Sequence, residues 1–333
     1  MRLFKKLGID LGTSNSVIWM ENEGVVLNEP TIVAVGIEDR KVLAVGSEAK
    51  DMLGKTPEYI EVISPLEDGV IADYEVTEAM LKYFLRKVMG KMWFFGPEVM
   101  VCVPAGVTQV EQRAVLDAVL SAGAKKAYII DEPLAAAIGA KIPVSESFGN
   151  MIVGVGGGVA EAAVIALGGV VTHKTVRVGG RRLDRAIMDY LKKKYNLVVG
   201  EQTAEKIKIK IGSAIRLKRP EKMEVSGRDS VYGLPKNKEI DSDEVYEAIR
   251  PFLDLILDAI RDTLEMTPPE LVADIVDRGI ILSGGMSQLR NFNVLVTREI
   301  GVSAHVPMEP QFCVIKGTGV AIENLETYKR AIR

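Results

Sequence analysis

The chain has 333 residues, 47% of them hydrophobic and 26% charged, and its 42 lysines and arginines against 45 aspartates and glutamates leave a net charge of −3. At about 150 residues per domain that length predicts two domains with cores large enough to need no staples, and the charge balance excludes intrinsic disorder and a basic nucleic-acid-binding protein. Two cysteines, Cys102 and Cys313, and two histidines, His173 and His305, show neither CxxC nor HExxH spacing, so zinc centres and triad hydrolases lack the material.

The chain opens Met1-Arg2-Leu3-Phe4-Lys5-Lys6 and runs straight into an apolar strand, so no secretory signal is expected and a reducing, cytoplasmic setting fits. Leu7 to Leu11 read as a strand ending near Asp10, Gly12-Thr13-Ser14 as a turn, and Asn15 to Met20 as a second strand. Val76, Met80, Phe84 and Val88 recur every fourth residue beside Leu81 and Leu85, which is the stripe of an amphipathic helix. After it, Met92, Trp93, Phe94 and Phe95 put four large apolar side chains into an expected loop. Cys102 lies in the run Val99 to Val103 and reads as a buried thiol. Thr108-Gln109-Val110-Glu111 is a capping box opening a helix to about Ala122, and Ala127 to Ile130 form a strand ending at Asp131-Glu132-Pro133. Strands alternating with helices predict a mostly parallel sheet.

In the second half, Met151 to Val155, Gly156-Gly157-Gly158 and Val159 to Leu167 repeat the strand, glycine turn, strand device, which suggests an internal duplication. Aligning the turns sets Asp10 opposite Gly154, Gly12 opposite Gly156 and Asn15 opposite Val159. The stretch from Gly154 to Val171 has transmembrane length, but its glycines and Glu161 make it a hairpin. Leu183, Ile187, Tyr190 and Leu191 mark a helix, Thr203 to Ile211 another, and Val245 to Leu264 a long one, with a surface hairpin between Arg216 and Lys238. Ile280 to Leu282 lead into Ser283-Gly284-Gly285-Met286-Ser287, a third strand-to-glycine turn, here entering a helix.

A glycine turn between strands aims successive backbone N–H groups into one concavity, which suits phosphate oxygens, although tight glycine hairpins without ligands also occur. Two such turns from duplicated halves can close on one polyphosphate from opposite sides. Asp10 would then hold a Mg²⁺ ion through water, or else cap turn amides. The adjacent Gly284 and Gly285 let a flat base approach the backbone, unless they form a plain strand-to-helix connection.

Gly8-Ile9-Asp10-Leu11-Gly12-Thr13, the glycine-rich second hairpin, Asp131-Glu132-Pro133-Leu134-Ala135-Ala136-Ala137 and the Ser283-Gly284-Gly285 turn resemble, in that order, the ATP-binding segments of the actin, sugar-kinase and heat-shock-chaperone superfamily. Val26 to Pro30, Gly54 to Pro57, Asp68 to Tyr74, Thr203 to Lys208 and Thr267 to Leu271 resemble the bacterial actin family MreB more closely, so that the likeness covers nearly the whole chain. It implies an α/β, actin-like ATPase fold of two lobes, each with a core subdomain and a smaller inserted one. The lobes would span 1–145 plus about 312–333 (insert about 32–70) and 146–311 (insert about 182–243). The resemblance also implies ATP and Mg²⁺ in the cleft. Gly12, Thr13, Ser14, Asn15, Gly156, Gly157, Gly158 and Val159 would lie at the phosphates, with Glu205, Lys206, Ile207 and Lys208 at the nucleoside. Gly284, Gly285, Met286 and Ser287 would meet the adenine side, Asp10 the metal, and Glu132 would orient the attacking water. Without the resemblance, Glu132-Pro133 reads as a polar turn ending a strand.

Where this family has Asp-x-Gly-Gly-Gly-Thr-Thr-Glu, the chain reads Gly154-Val155-Gly156-Gly157-Gly158-Val159-Ala160-Glu161, so a Mg²⁺-supporting carboxylate and two hydroxyls are missing. Met286 replaces the usual third glycine of its turn. Met92 to Phe95 match a loop that this family inserts into membranes, with burial in the lobe core as the alternative, and the basic, apolar N-terminus would be an interfacial anchor or a frayed tail. The expected protein is thus a cytoplasmic, ATP-binding polymer subunit lying on the inner membrane face. Its partners would be further copies of itself, the membrane surface, and cell-wall synthesis and membrane-anchored shape proteins, with no nucleic acid. A soluble kinase or chaperone ATPase of the superfamily, or a nucleotide-binding scaffold without hydrolysis, are the rivals. Glu323 to Arg333 are too few for a chaperone's substrate domain.

Overall fold

The protein's structure, a computed structural model, describes residues 5–90, 96–329 and 332. Met1 to Phe4 and the apolar Met92 to Phe95 therefore lie outside the described residues.

Chain reversal at the first glycine turn sets the direction of the first sheet. Strands β1 (Lys6–Leu11), β2 (Asn15–Met20) and β3 (Gly24–Pro30) form an antiparallel meander in which Asp10 stands opposite Val17. A smaller antiparallel sheet comes next, from β4 (Val33–Gly36), β5 (Val42–Val45), helix α1 (Ser47–Met52) and β6 (Ile60–Ile63), followed by the short hairpin β7 (Leu66–Glu67) and β8 (Val70–Ile71). Asp73 caps α2 (Tyr74–Met89) by accepting from the Val76 amide, and the expected stripe of Met80, Leu81, Phe84 and Leu85 is fully buried. Strand β9 (Glu98–Val103), helix α3 (Gln109–Ser121) with its capping box, β10 (Lys126–Asp131) and α4 (Glu132–Gly139) complete this half. The sheet order is β10-β9-β1-β2-β3, parallel on the β9 side and antiparallel on the β2 side.

The second half repeats the plan. Strands β11 (Asn150–Val155), β12 (Ala160–Ala166) and β13 (Gly169–Val176) form a meander in which Gly154 stands opposite Glu161. Then come α5 (Gly180–Tyr195), β14 (Leu197–Val198), α6 (Glu201–Ile211) and the charged hairpin β15 (Lys222–Asp229) and β16 (Pro235–Asp241), whose sheet order is β14-β15-β16. The chain continues through α7 (Ser242–Glu265), α8 (Pro269–Arg278), β17 (Ile280–Ser283), a 3₁₀ turn at Gly285–Gln288, α9 (Phe292–Ile300), β18 (Ala304–His305) and α10 (Cys313–Glu323). The order β13-β12-β11-β17-β18 matches that of the first sheet strand for strand.

Neither large sheet is mostly parallel, contrary to the expectation from alternating elements. A hairpin of a few residues can only reverse the chain, so each of the two glycine hairpins forces an antiparallel pair, and parallel pairing is confined to β1–β9, β9–β10, β11–β17 and β17–β18, whose strands are joined through longer connections. The third glycine turn also differs in detail, since a single 3₁₀ turn precedes α9.

Each sheet carries its own apolar core, and a third cluster joins them. It unites Ile130, Leu134 and Ile138 with Ile152, Ala163 and Ile165 of the second sheet and with Cys313 and Ile322 of α10. Here α4 and α10 cross backbone to backbone: a Cβ on Gly317 would lie 1.7 Å from the Ala135 carbonyl oxygen, and one on Gly139 would lie 1.8 Å from that of Cys313. Only glycine permits that approach. Lys6 completes the seam, its Nζ donating to the Ile322 carbonyl at 2.7 Å at the end of α10.

Candidate functional site

The two glycine turns meet tip to tip between the sheets. A Cβ on Gly157 would stand 1.9 Å from Ser14 Oγ, and one on Gly158 2.6 Å from Thr13 Oγ1. Glycine at 157 and 158 is thus a steric requirement of closure rather than only of turn geometry. Thr13 Oγ1 also accepts from the Gly69 amide at 3.1 Å, which pins the β7–β8 hairpin over the first turn. Val159, where the family pattern has a threonine, packs its methyls 3.5 Å from the Cβ position of Gly69. Asn15 is exposed and donates to Asn28 Oδ1 at 2.8 Å.

Behind the second turn, the Gly180 amide donates to the Gly156 carbonyl (3.0 Å) and the Arg181 amide to that of Gly157 (2.9 Å). A Cβ on Gly180 would lie 3.2 Å from Lys208 Nζ, 3.7 Å from Met286 Cγ and 3.9 Å from the Gly156 oxygen. Residues from the second turn, α6 and the third turn thereby meet at one point. Lys208 already holds Asp184 at 2.9 Å and the Gly180 carbonyl at 3.0 Å. Ile207 is buried in the lobe core and Lys206 is exposed. Glu205 pairs with Lys50 on the opposite lobe, and Ser287 donates to the Gly284 carbonyl at 2.6 Å. The Gly284 and Gly285 turn is buttressed by the Gly284 amide, which donates to Pro310.

Three carboxyl groups gather at the floor. Asp10 is the penultimate residue of β1, Glu132 is the first residue of α4, and Glu161 lies within β12. Among the described residues no lysine or arginine pairs with any of them. Enclosure by protein pushes Asp10 up to about 6, against a weak contact from the Cys102 thiol at 3.6 Å. The same enclosure, reinforced by Asp10 and Glu161, raises Glu132 well above the usual carboxylate range. Glu161 is 3% exposed, and burial pushes it up to about 7, even though its Oε1 accepts from the Ala105 amide at 3.0 Å and Thr175 Oγ1 at 2.7 Å. Its Oε2 and the Ser283 hydroxyl are buried without a partner.

Gly154 keeps the register of Asp10: each stands opposite the residue seven places on, and each has a parallel neighbour, Ser283 for Gly154 and Cys102 for Asp10. A Cβ there would meet only Ser283 Oγ at 3.8 Å, so the space of the absent carboxylate persists. No group of three His, Cys, Asp or Glu among the described residues stands close enough to hold a metal directly. A cation here would accordingly be held by Asp10, water and ligand oxygens, which suits Mg²⁺ and its reluctance to shed water. Sequence reasoning missed Glu161 and Arg181 as site residues. The sequence signals were, for Glu161, its match to the last glutamate of the family pattern within an apolar strand and, for Arg181, its place directly after Gly179-Gly180. A cavity of about 400 Å³ lined by Met20, Glu23, Leu27, Asn28, Glu29 and Lys87 reaches the first turn only through Asn28, the partner of Asn15.

Comparison with known proteins agrees with this arrangement. A family model described as MreB/Mbl protein matches residues 4–330. Cell shape-determining protein Mbl of Bacillus cereus is 44% identical over 330 residues, 99% of this chain and 99% of that protein. Cell shape-determining protein MreB of Escherichia coli K12 is 45% identical over 328 residues, 97% of this chain and 94% of the other. The crystal structure of MreB 5 of Spiroplasma citri bound to AMPPNP superposes with a TM-score of 0.92 at 33% identity, covering 98% of both chains, and the fold is actin-like.

The carboxyl cluster makes stability depend on pH with a defined sign. Unfolded glutamate titrates near 4.5 and native Glu161 near 7, so between these values the folded chain keeps a proton that the unfolded chain has lost. The contribution is full below pH 4.5 and is lost as pH rises toward 7. Urea unfolding without nucleotide at pH 5 and pH 7.5 should show Glu161→Gln gaining on the parent at the higher pH, by up to about 3 kcal/mol. An identical pH slope in both chains would mean that Glu161 titrates normally.

Proposed function

The chain belongs to the MreB/Mbl family, and we propose that it is an ATP-binding, actin-like filament subunit that helps determine cell shape from the inner face of the membrane. The observation that carries the nucleotide reading is the closure of two glycine turns over carboxyl groups that no lysine or arginine among the described residues neutralises. Support comes from the S. citri relative, which was crystallised with AMPPNP and with ADP. In this reading the turns at Gly12 to Asn15 and Gly156 to Val159 face the phosphates. Met286 and the backbone of Gly284 and Gly285 flank the base, and Glu205 and Lys208 lie toward the nucleoside.

Asp10 would hold Mg²⁺ through water, and the ion would supply the positive charge that this cluster lacks. Glu132 orients water from the start of α4. It accepts a hydrogen bond from that water more strongly when ionised, and Asp10 and Glu161 oppose its ionisation. With Gly154 giving no second carboxylate and Val159 no hydroxyl, charge stabilisation at the terminal phosphate is poor, so hydrolysis is slow while binding is retained.

The assembly reading comes from the family: head-to-tail stacking through a heterologous contact that does not close yields filaments. At micromolar protein, Mg-ATP should send the chain into the high-speed pellet as polymers visible by negative stain. Monomers or closed dimers under every nucleotide condition would refute it.

Membrane attachment rests on the sequence Met92 to Phe95 and the basic N-terminus, and no helix among the described residues is long and apolar enough to cross a membrane. In liposome flotation the parent should rise with the lipid, and the Trp93→Ser, Phe94→Ser variant should stay behind. Equal flotation would exclude that segment as the anchor.

Slow hydrolysis is tested by restoring what is missing. Gly154→Asp with Val159→Thr should raise phosphate release about a hundredfold, the worth of one preorganised polar contact to a transition state, with ATP affinity nearly unchanged. Equal rates would place the limitation elsewhere, and no turnover in either chain would favour a scaffold that only binds nucleotide.

A further inference from the structure

Contacts from side chains outside the three glycine turns also cross the cleft. Arg181, second residue of α5, is fastened through its amide to the Gly157 carbonyl of the second turn at 2.9 Å. Its guanidinium Nη1 donates to Ser64 Oγ, on the other lobe, also at 2.9 Å. Ser64 Oγ lies 3.1 Å from the Thr31 carbonyl and 3.0 Å from that of Leu66, either of which can take its proton. Thr31 in turn holds the first turn, its amide donating to Ser14 O at 3.0 Å and its hydroxyl to Gly12 O at 2.7 Å. One arginine therefore joins the backbone of the second turn to the residue that supports the first.

Farther out on the same side, Gln202 Nε2 donates to the Lys50 carbonyl at 3.2 Å, and Lys50 Nζ stands 3.7 Å from Glu205 Oε2. That ion pair is exposed and contributes little alone. The Arg181 bond is the stronger element, since its donor is charged and partly buried. Glu67, Glu201 and Glu205 surround the guanidinium as more distant charges, and among the described residues none reaches ion-pair distance. The charge is thus committed to Ser64 and not to a carboxylate of its own lobe.

We propose that Arg181 is a positioning residue of the nucleotide site. It latches the second glycine turn to the Ser64–Thr31 support of the first, and with the outer Lys50, Gln202 and Glu205 contacts it closes the mouth of the cleft, so that nucleotide leaves only after the latch opens. This inference rests on the nucleotide-binding reading above. Arg181 need not touch the reacting atoms. It sets how long the two turns stay together around a ligand, and it does so from the lobe that lacks the carboxylate and hydroxyls of the family pattern.

The test is release of a fluorescent ATP analogue from the full chain, loaded with Mg²⁺ and chased with excess ATP. Arg181→Ala and Ser64→Ala should each speed release about tenfold, the factor to which about 1.4 kcal/mol corresponds. The double variant should release no faster than the faster single one, because both lose the same bond. Arg181→Lys, which keeps a charged donor, should recover part of the slow release. Melting temperatures of the nucleotide-free chains should stay close to the parent's, which separates a latch from a general loss of stability. A release rate in Arg181→Ala equal to the parent's, or single effects that multiply in the double variant, would overturn the proposal.

A parent that binds no analogue would instead count against the nucleotide reading, and the latch is then read without ligand. Spin labels on Leu43→Cys and Ile209→Cys, both exposed and on opposite lobes, should give a narrow distance distribution that broadens in Arg181→Ala. An unchanged distribution would overturn the latch by itself.

Discussion

Three carboxyl groups enclosed in one cleft, none of them paired with a lysine or arginine among the described residues, form the electrostatic constraint around which this molecule is arranged. Asp10, Glu132 and Glu161 each lose hydration when the two sheets come together, and each lies near another acidic group. Protonation relieves that cost at low pH, and a cation arriving with an anionic ligand would relieve it at neutral pH. A charged ligand would complete such a site. The arginine nearest the turns does not neutralise it, because Arg181 is spent on the cross-lobe bond to Ser64.

What brings the carboxyl groups together is a duplicated topology and one close helix crossing. Each sheet ends a central strand at a glycine turn, so positions 10 and 154 are equivalent in the two sheets. Helix α4 sets Glu132 near Asp10 and Glu161, and α4 is held by its glycine contact with α10, where an added methyl would overlap a backbone oxygen. Overpacking at such a point typically costs about 1–3 kcal/mol or more, and here it would also shift the first residue of α4. Fold stability and site geometry therefore share the same few atoms.

The second hairpin shows how a site can lose chemistry and keep architecture. Replacing a carboxylate by Gly154 leaves an open position beside Ser283, and Val159 turns a polar contact into packing against the β7–β8 hairpin. Backbone groups, which supply phosphate contacts whatever the side chains, remain where the turn puts them. On the reading proposed above, retained binding with slowed hydrolysis would be the physical consequence of that division of labour.

Local chemistry determined a great deal by itself. The capping box at Thr108, the stripe along α2, the two glycine hairpins and their register of Asp10 to Gly154 are short-range patterns, and each is present in the fold. The family was legible too, because its segments recur in order along nearly the whole chain. Sheet direction was not, since alternation of elements says nothing about which hairpins reverse the chain in place. Glu161 as a buried acid, the commitment of Lys208 to Asp184, the outward face of Lys206 and the cross-lobe bond of Arg181 were decided only by tertiary structure. Every one of these depends on which groups from distant parts of the chain share a small, poorly hydrated volume. A residue's charge state and its available partners are properties of that volume, and no local pattern carries them.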